Sequence, residues 1–186
     1  MLIMLIAMTV LACGKSGKAD TMAGSAEYPL VHWHFLVPPS WDGAALLNNV
    51  DLSKMQDDDP KAYALLKKLK KQWNNAPVVE SLDGRSITIK GYPVPLDGNA
   101  DFIKDFLLVP YFGACIHTPP PPSNQVINVH LKGLPIPYNS MDAFTDATGA
   151  IAVRGTLKVV HSSSALGEAG YQMQANVTAP TDDISP

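Results

Sequence analysis

Two pairs of side chains in this sequence have the types and the spacing for metal or thiol chemistry. Cys115 and His117 stand two residues apart in YFGACIHTPPPPSNQ, residues 111–125, and His32 and His34 stand two apart in VHWHFLV, residues 31–37. Along an extended chain residues i and i+2 point the same way, so each pair can offer its donors to one site. Soft sulfur with imidazole nitrogen suits zinc, or copper(I). A tetrahedral ion needs four ligands, and Cys115, His117, His32 and His34 are the candidate set. C-x-H by itself lacks the second pair that zinc-finger spacing has, and two other readings of Cys115 stay open. In one it is a buried structural cysteine beside a hydrogen-bonded histidine. In the other His117 lowers its pKa and makes it a reactive thiolate. His130 and His161 have no partner nearby in the sequence and read as ordinary strand histidines.

The same stretch carries Pro119, Pro120, Pro121 and Pro122 in a row. Four prolines remove four amide donors and hold four φ angles, so the run is stiff. It would hold Cys115 and His117 with little entropy left to lose. With Asn124 and Gln125 it also reads as a docking strip for a partner. The sequence has no C-x-x-C, G-x-S-x-G or H-E-x-x-H motif and no glycine-rich phosphate loop. A catalytic reading therefore rests on Cys115 alone, as a thiol-dependent enzyme or redox protein.

The other cysteine implies a membrane anchor. Residues 1–11 are apolar apart from Thr9, and Leu11-Ala12-Cys13-Gly14 closes the run. Small residues before a cysteine at the end of a short apolar run mark a lipoprotein signal rather than a plain secretory one. The run is too short to cross a bilayer, which takes about 20 residues, and no lysine or arginine precedes it. Residues 1–12 are thus expected to be removed as a signal peptide and Cys13 lipidated. Gly14 after the cysteine favours the inner leaflet of the outer membrane and a periplasmic folded part. Cys115 would then be the lone thiol of the mature chain in an oxidising compartment, where it must be buried, metal-bound or paired with another molecule. The formal charge of −3 argues against a nucleic-acid surface, which would be basic.

Positioning these side chains falls to the elements that the apolar pattern predicts. Residues 13–27 are a small, polar tether, residues 28–75 an N-terminal arm and helix, and residues 76–180 the main domain. VHWHFLV reads as a short strand or extended arm ended by Pro38-Pro39. Residues 57–74 form one amphipathic helix: three aspartates and Pro60 start it, and Tyr63, Leu66, Leu69 and Trp73 recur at helical spacing. Lys67, Lys68, Lys70 and Lys71 line its other face, either as a solvated surface or as a contact for anionic lipid headgroups. Five strands are expected, at residues 86–92, 105–112, 126–131, 150–161 and 170–178, with Gly155 as an expected bulge or bend. Sixteen prolines favour short strands and long turns over a helical bundle. The expected fold is mainly β (α+β): a small five-stranded OB-like barrel with one N-terminal helix. An open β-sandwich is the alternative.

The phrase FLLVPYFGACIHTPPPPSNQ, residues 106–125, is similar to the signature of the Domain of Unknown Function 3299 family of bacterial lipoproteins. LDGRSITIKGYPVPL at 82–96, the arm VHWHFLVPPSW and the later VRGTL fit the same pattern, so the resemblance spans about residues 31–178. It implies a periplasmic lipoprotein, often encoded beside a MacB-like ABC transporter and sometimes within zinc-responsive gene clusters. Cys115 and His117 fall inside the shared phrase. Together with the residue chemistry, the expectation is a non-enzymatic accessory to such a transporter, in transition-metal (zinc) homeostasis. The rivals are a thiol-dependent protein using Cys115 and a docking scaffold built on the proline run.

Overall fold

The computed structural model describes residues 27–48, 59–96, 101–114 and 121–178. Cys13, the signal peptide, residues 13–26 of the tether, Cys115, His117, Pro119 and Pro120 lie outside the described residues.

Five strands close into one barrel: β1 (Ser86–Pro95), β2 (Asp105–Val109), β3 (Ile127–Leu131), β4 (Ile151–Lys158) and β5 (Tyr171–Thr178). Their order around the barrel is β1-β2-β3-β5-β4 and back to β1. β3 and β5 run parallel, and every other neighbouring pair is antiparallel. The predicted small mainly-β barrel is the one observed. Closure leaves no open sheet edge in the barrel itself. Two-residue ribbons pair Phe102–Ile103 with Ile136–Pro137 and Ser162–Ser163 with Glu168–Ala169 at its margins.

β1 makes the closure possible because it changes partner half-way. Residues 86–91 pair with β4, and residues 92–95 pair with β2. The switch falls at Gly91. A Cβ there would stand 2.7 Å from the Val109 carbonyl oxygen and 2.9 Å from the Trp33 ring, so only glycine lets three segments meet at this point.

Inward positions alternate along each strand, and Ile87, Ile89, Phe106, Leu108, Val129, Val153, Leu157, Tyr171 and Met173 fill the interior. The run DFLLV breaks the alternation for a visible reason. Leu107 and Val109, on the other face of β2, are covered by Val94, Ala114, Val126 and Ala169 in a second apolar cluster. β2 is thus buried on both faces, as its continuous apolar sequence requires.

The N-terminal arm departs from expectation. Only its start is strand-like: Val31 N–H donates to the Thr88 carbonyl (2.8 Å) and Thr88 N–H to the Pro29 carbonyl (2.9 Å). The chain then turns into a 3-10 helix, Trp33–Leu36, because Leu36 must reach the barrel interior, where it is fully buried. Two further readings are corrected. Gly155 sits in unbroken register opposite Ile87 and Ala175, so it is no bulge. The helix α1 begins at Pro60 (Pro60–Asn74), with the Asp59 carboxylate capping the Lys61 N–H at 2.8 Å.

Candidate functional site

Built from the residues upward, a candidate site among the described residues is a cleft where the arm leans on the barrel. Its volume is about 240 Å³, and its walls include His32, Trp33, Lys90, Tyr92, Pro110 and Thr148. Trp33 reaches it because the arm's pairing with Thr88 brings the 3-10 helix over Gly91. Its indole N–H then donates to the Lys90 carbonyl at 2.7 Å. On the opposite wall the Tyr92 hydroxyl bonds the Thr148 hydroxyl at 3.3 Å, and Phe112 meets the Tyr92 ring edge-on, centroids 5.9 Å apart.

One carboxylate organises the far side. Asp146 Oδ1 accepts from Thr148 N–H (2.7 Å), Thr148 Oγ1 (2.6 Å) and Ala150 N–H (3.1 Å), while Oδ2 meets Lys90 Nζ at 2.6 Å. The Lys90 ammonium, then the Thr148 hydroxyl, hold the carboxyl well below the usual aspartate range. A depressed folded-state pKa contributes stability that is present above the unfolded value and lost as pH falls toward the folded one. Asp146→Asn is therefore expected to cost about 1–2 kcal/mol at neutral pH. Its deficit relative to wild type should shrink as pH drops below about 4. Urea unfolding midpoints from pH 7 to pH 3 measure this, and a deficit that stays constant down to pH 3 contradicts it.

His32 and His34 lie beside this cleft, both exposed, with their rings stacked at 5.9 Å between centroids and 9° between planes. His34 also packs on Phe35 at 4.1 Å. The two imidazoles stand side by side, placed by a 3-10 turn and not by the expected extended segment. Among the described residues no three histidine, cysteine, aspartate or glutamate side chains gather as a metal cluster. The pair offers two donors.

The described part of the proline strip turns inward. Pro121 is buried, and Asn124 is fully buried with its amide donating to the Pro77 carbonyl at 2.9 Å. The carbonyl of Ser123 accepts the Gly170 N–H at 2.7 Å. These contacts tie the loop before β3 to the linker after α1 and to the start of β5. Pro122 and Gln125 keep partial exposure.

A second polar group escaped sequence reasoning. His130 Nδ1 contacts the Asp105 carboxylate across β2 and β3. Asn128, Lys158, Gln172 and Gln174 line the same outer surface, a shallow hollow of about 240 Å³. Only strand register brings these side chains into one row, so no local motif could reveal them. The first cleft left a faint signal, a glycine between Lys90 and Tyr92 and the turn sequence DATG at 146–149.

The model of the family described as "protein of unknown function (DUF3299)" matches residues 33–180. The chain belongs to the DUF3299 family. A crystal structure of a DUF3299 family protein from Pseudomonas aeruginosa PAO1 is 33% identical, with a TM-score of 0.61. The match covers 84% of this chain and 98% of that one. No curated protein matches the chain. The cleft and the outer polar row are therefore features of a DUF3299 barrel, and their role is argued from their own chemistry.

Proposed function

We propose that this protein works by binding rather than catalysis, as a lipid-anchored periplasmic accessory to an ABC transporter concerned with transition-metal homeostasis. The observation that supports this is the exposed, stacked pair His32 and His34 at the edge of a preformed cleft. Two imidazoles side by side would supply two of the four ligands a tetrahedral zinc site takes. Cys115 and His117 are the candidates for the others. The aromatic and proline walls of the cleft, Trp33, Tyr92 and Pro110, suit a partner segment better than a water-filled reaction site.

Isothermal titration of chelator-treated protein with zinc and with copper(I) tests it. Wild type is expected to take up about one equivalent, with affinity falling in acid because the ligands must lose protons to coordinate. His32→Ala, His34→Ala, Cys115→Ala and His117→Ala should each weaken binding by about a hundredfold if all four ligate. Equal binding by all four variants and wild type ends the metal reading. Fast modification of Cys115 by a thiol reagent at neutral pH, unaffected by metal, favours the thiol reading instead.

A further inference from the structure

Helix α1 has a composition and a placement that the barrel does not explain. Residues 60–74 contain Lys61, Lys67, Lys68, Lys70 and Lys71 and no aspartate or glutamate. Among the described residues none of these lysines has an ion-pair partner. Among the described residues the helix is held to the protein along a narrow line. Leu69 is buried, Ala62 and Leu65 are half-buried, and the Trp73 indole donates to the Gly43 carbonyl at 2.7 Å. Beside that line lies a second stripe, Tyr63, Leu66, Lys67 and Lys70, whose spacings of three, four and seven put them on one face. Tyr63 is 74% exposed and Leu66 62% exposed.

We propose that this stripe of α1 lies on an anionic phospholipid surface. Its two large apolar side chains would enter the acyl boundary while the flanking lysines pair with headgroup phosphates. Exposed apolar side chains among ammonium groups that have no ion-pair partner among the described residues are the complement of a surface that is negative outside and apolar just beneath. A purely solvated helix face needs neither Tyr63 nor Leu66 on it, and long lysine stems let the charges stay at headgroup level while the helix sinks. No described helix is long and apolar enough to cross a membrane, so α1 lies along the surface. The contact is separate from the lipid proposed on Cys13 and would orient the barrel, whichever way the chain is tethered.

The test uses the full chain carrying Cys13→Ser and co-sedimentation with vesicles of phosphatidylcholine alone or mixed with phosphatidylglycerol. Residues 1–12 are apolar apart from Thr9 and carry no charged side chain, and they are the same in every variant, so their contribution cancels when variants are compared on one vesicle type. Binding is expected to be at least about tenfold stronger on the anionic vesicles and to weaken with salt. The double variant Lys67→Gln, Lys70→Gln should lose about thirtyfold of it, two lysines at about 1 kcal/mol each. Tyr63→Ser with Leu66→Ser should remove the binding that survives high salt, and amides of 60–74 should gain protection from hydrogen exchange on anionic vesicles. Equal binding to both vesicle types overturns the proposal, as does an unchanged lysine variant. Binding to polyglutamate but not to vesicles, lost in the same variant, overturns it in favour of an acidic protein. Lysine-dependent dimerisation without vesicles overturns it in favour of a second copy.

Discussion

Gly155→Ala is expected to cost the barrel about 3 kcal/mol or more, a large share of the roughly 5–15 kcal/mol that holds such a domain folded. β4 and β5 approach so closely at this point that an added Cβ would stand 2.4 Å from the Gln174 carbonyl oxygen and 2.9 Å from the Ala175 Cα and Cβ. The atoms in the way are backbone and a Cβ fixed to it, on a strand paired on both sides, to β3 and to β4. They cannot rotate aside as a side chain would. The only relief is to part the strands, which lengthens ladder hydrogen bonds and opens the barrel. Urea or thermal unfolding of the purified variant measures the loss. A midpoint within experimental error of wild type would mean that the strands have room to separate there, and the account of barrel closure would fail.

Tyr171→Phe is expected to cost about 2–3 kcal/mol, although it removes one oxygen atom. The hydroxyl donates to the Leu36 carbonyl at 2.7 Å and accepts from the Val79 N–H at 2.7 Å. Burial pushes this phenol's pKa upward, so it stays a neutral donor. One atom thereby joins the arm, the linker after α1 and β5. Without it two backbone groups lose their partner where water has little access, and each costs about 1–3 kcal/mol less any relaxation. Besides the unfolding midpoint, hydrogen exchange gives a local readout. The amides of the Trp33–Leu36 turn should exchange faster in the variant, because the arm is released before the barrel opens. Unchanged protection of that turn would show that Leu36 is held by its apolar burial alone.

Much of the barrel was readable from period-two alternation. Residues 86–92, 126–131 and 170–178 each place apolar side chains at every second position, and each overlaps a strand of the structure. Residues 105–112 were readable for the opposite reason, a continuous apolar run, and the second cluster around Leu107 and Val109 accounts for it. The arm was misread because Val31 and the aromatic residues after it favour strands locally. Its 3-10 turn is dictated by a contact 135 residues away, between Leu36 and Tyr171. Gly155 was recognised as special, yet a bulge and a close approach look identical in a sequence. Asn124 looked like a surface residue after prolines, and the buried bond to Pro77 could not be inferred from either neighbourhood.

By itself the sequence determined the fold class, the five strands, the helix with its lysine face, and the possibility that His32 and His34 act together. Those properties depend on periodicity and on spacings of two to four residues, which a linear chain displays directly. Tertiary structure alone decided that β1 would serve two partners and that Trp33 would cover Gly91. It also decided that Lys90 would meet Asp146 and that Asp105 would meet His130. These three side-chain meetings join residues 25 to 58 positions apart, through strand register and barrel closure. Register is set by burying every inward side chain at once, a condition on the whole chain that no short stretch of it records.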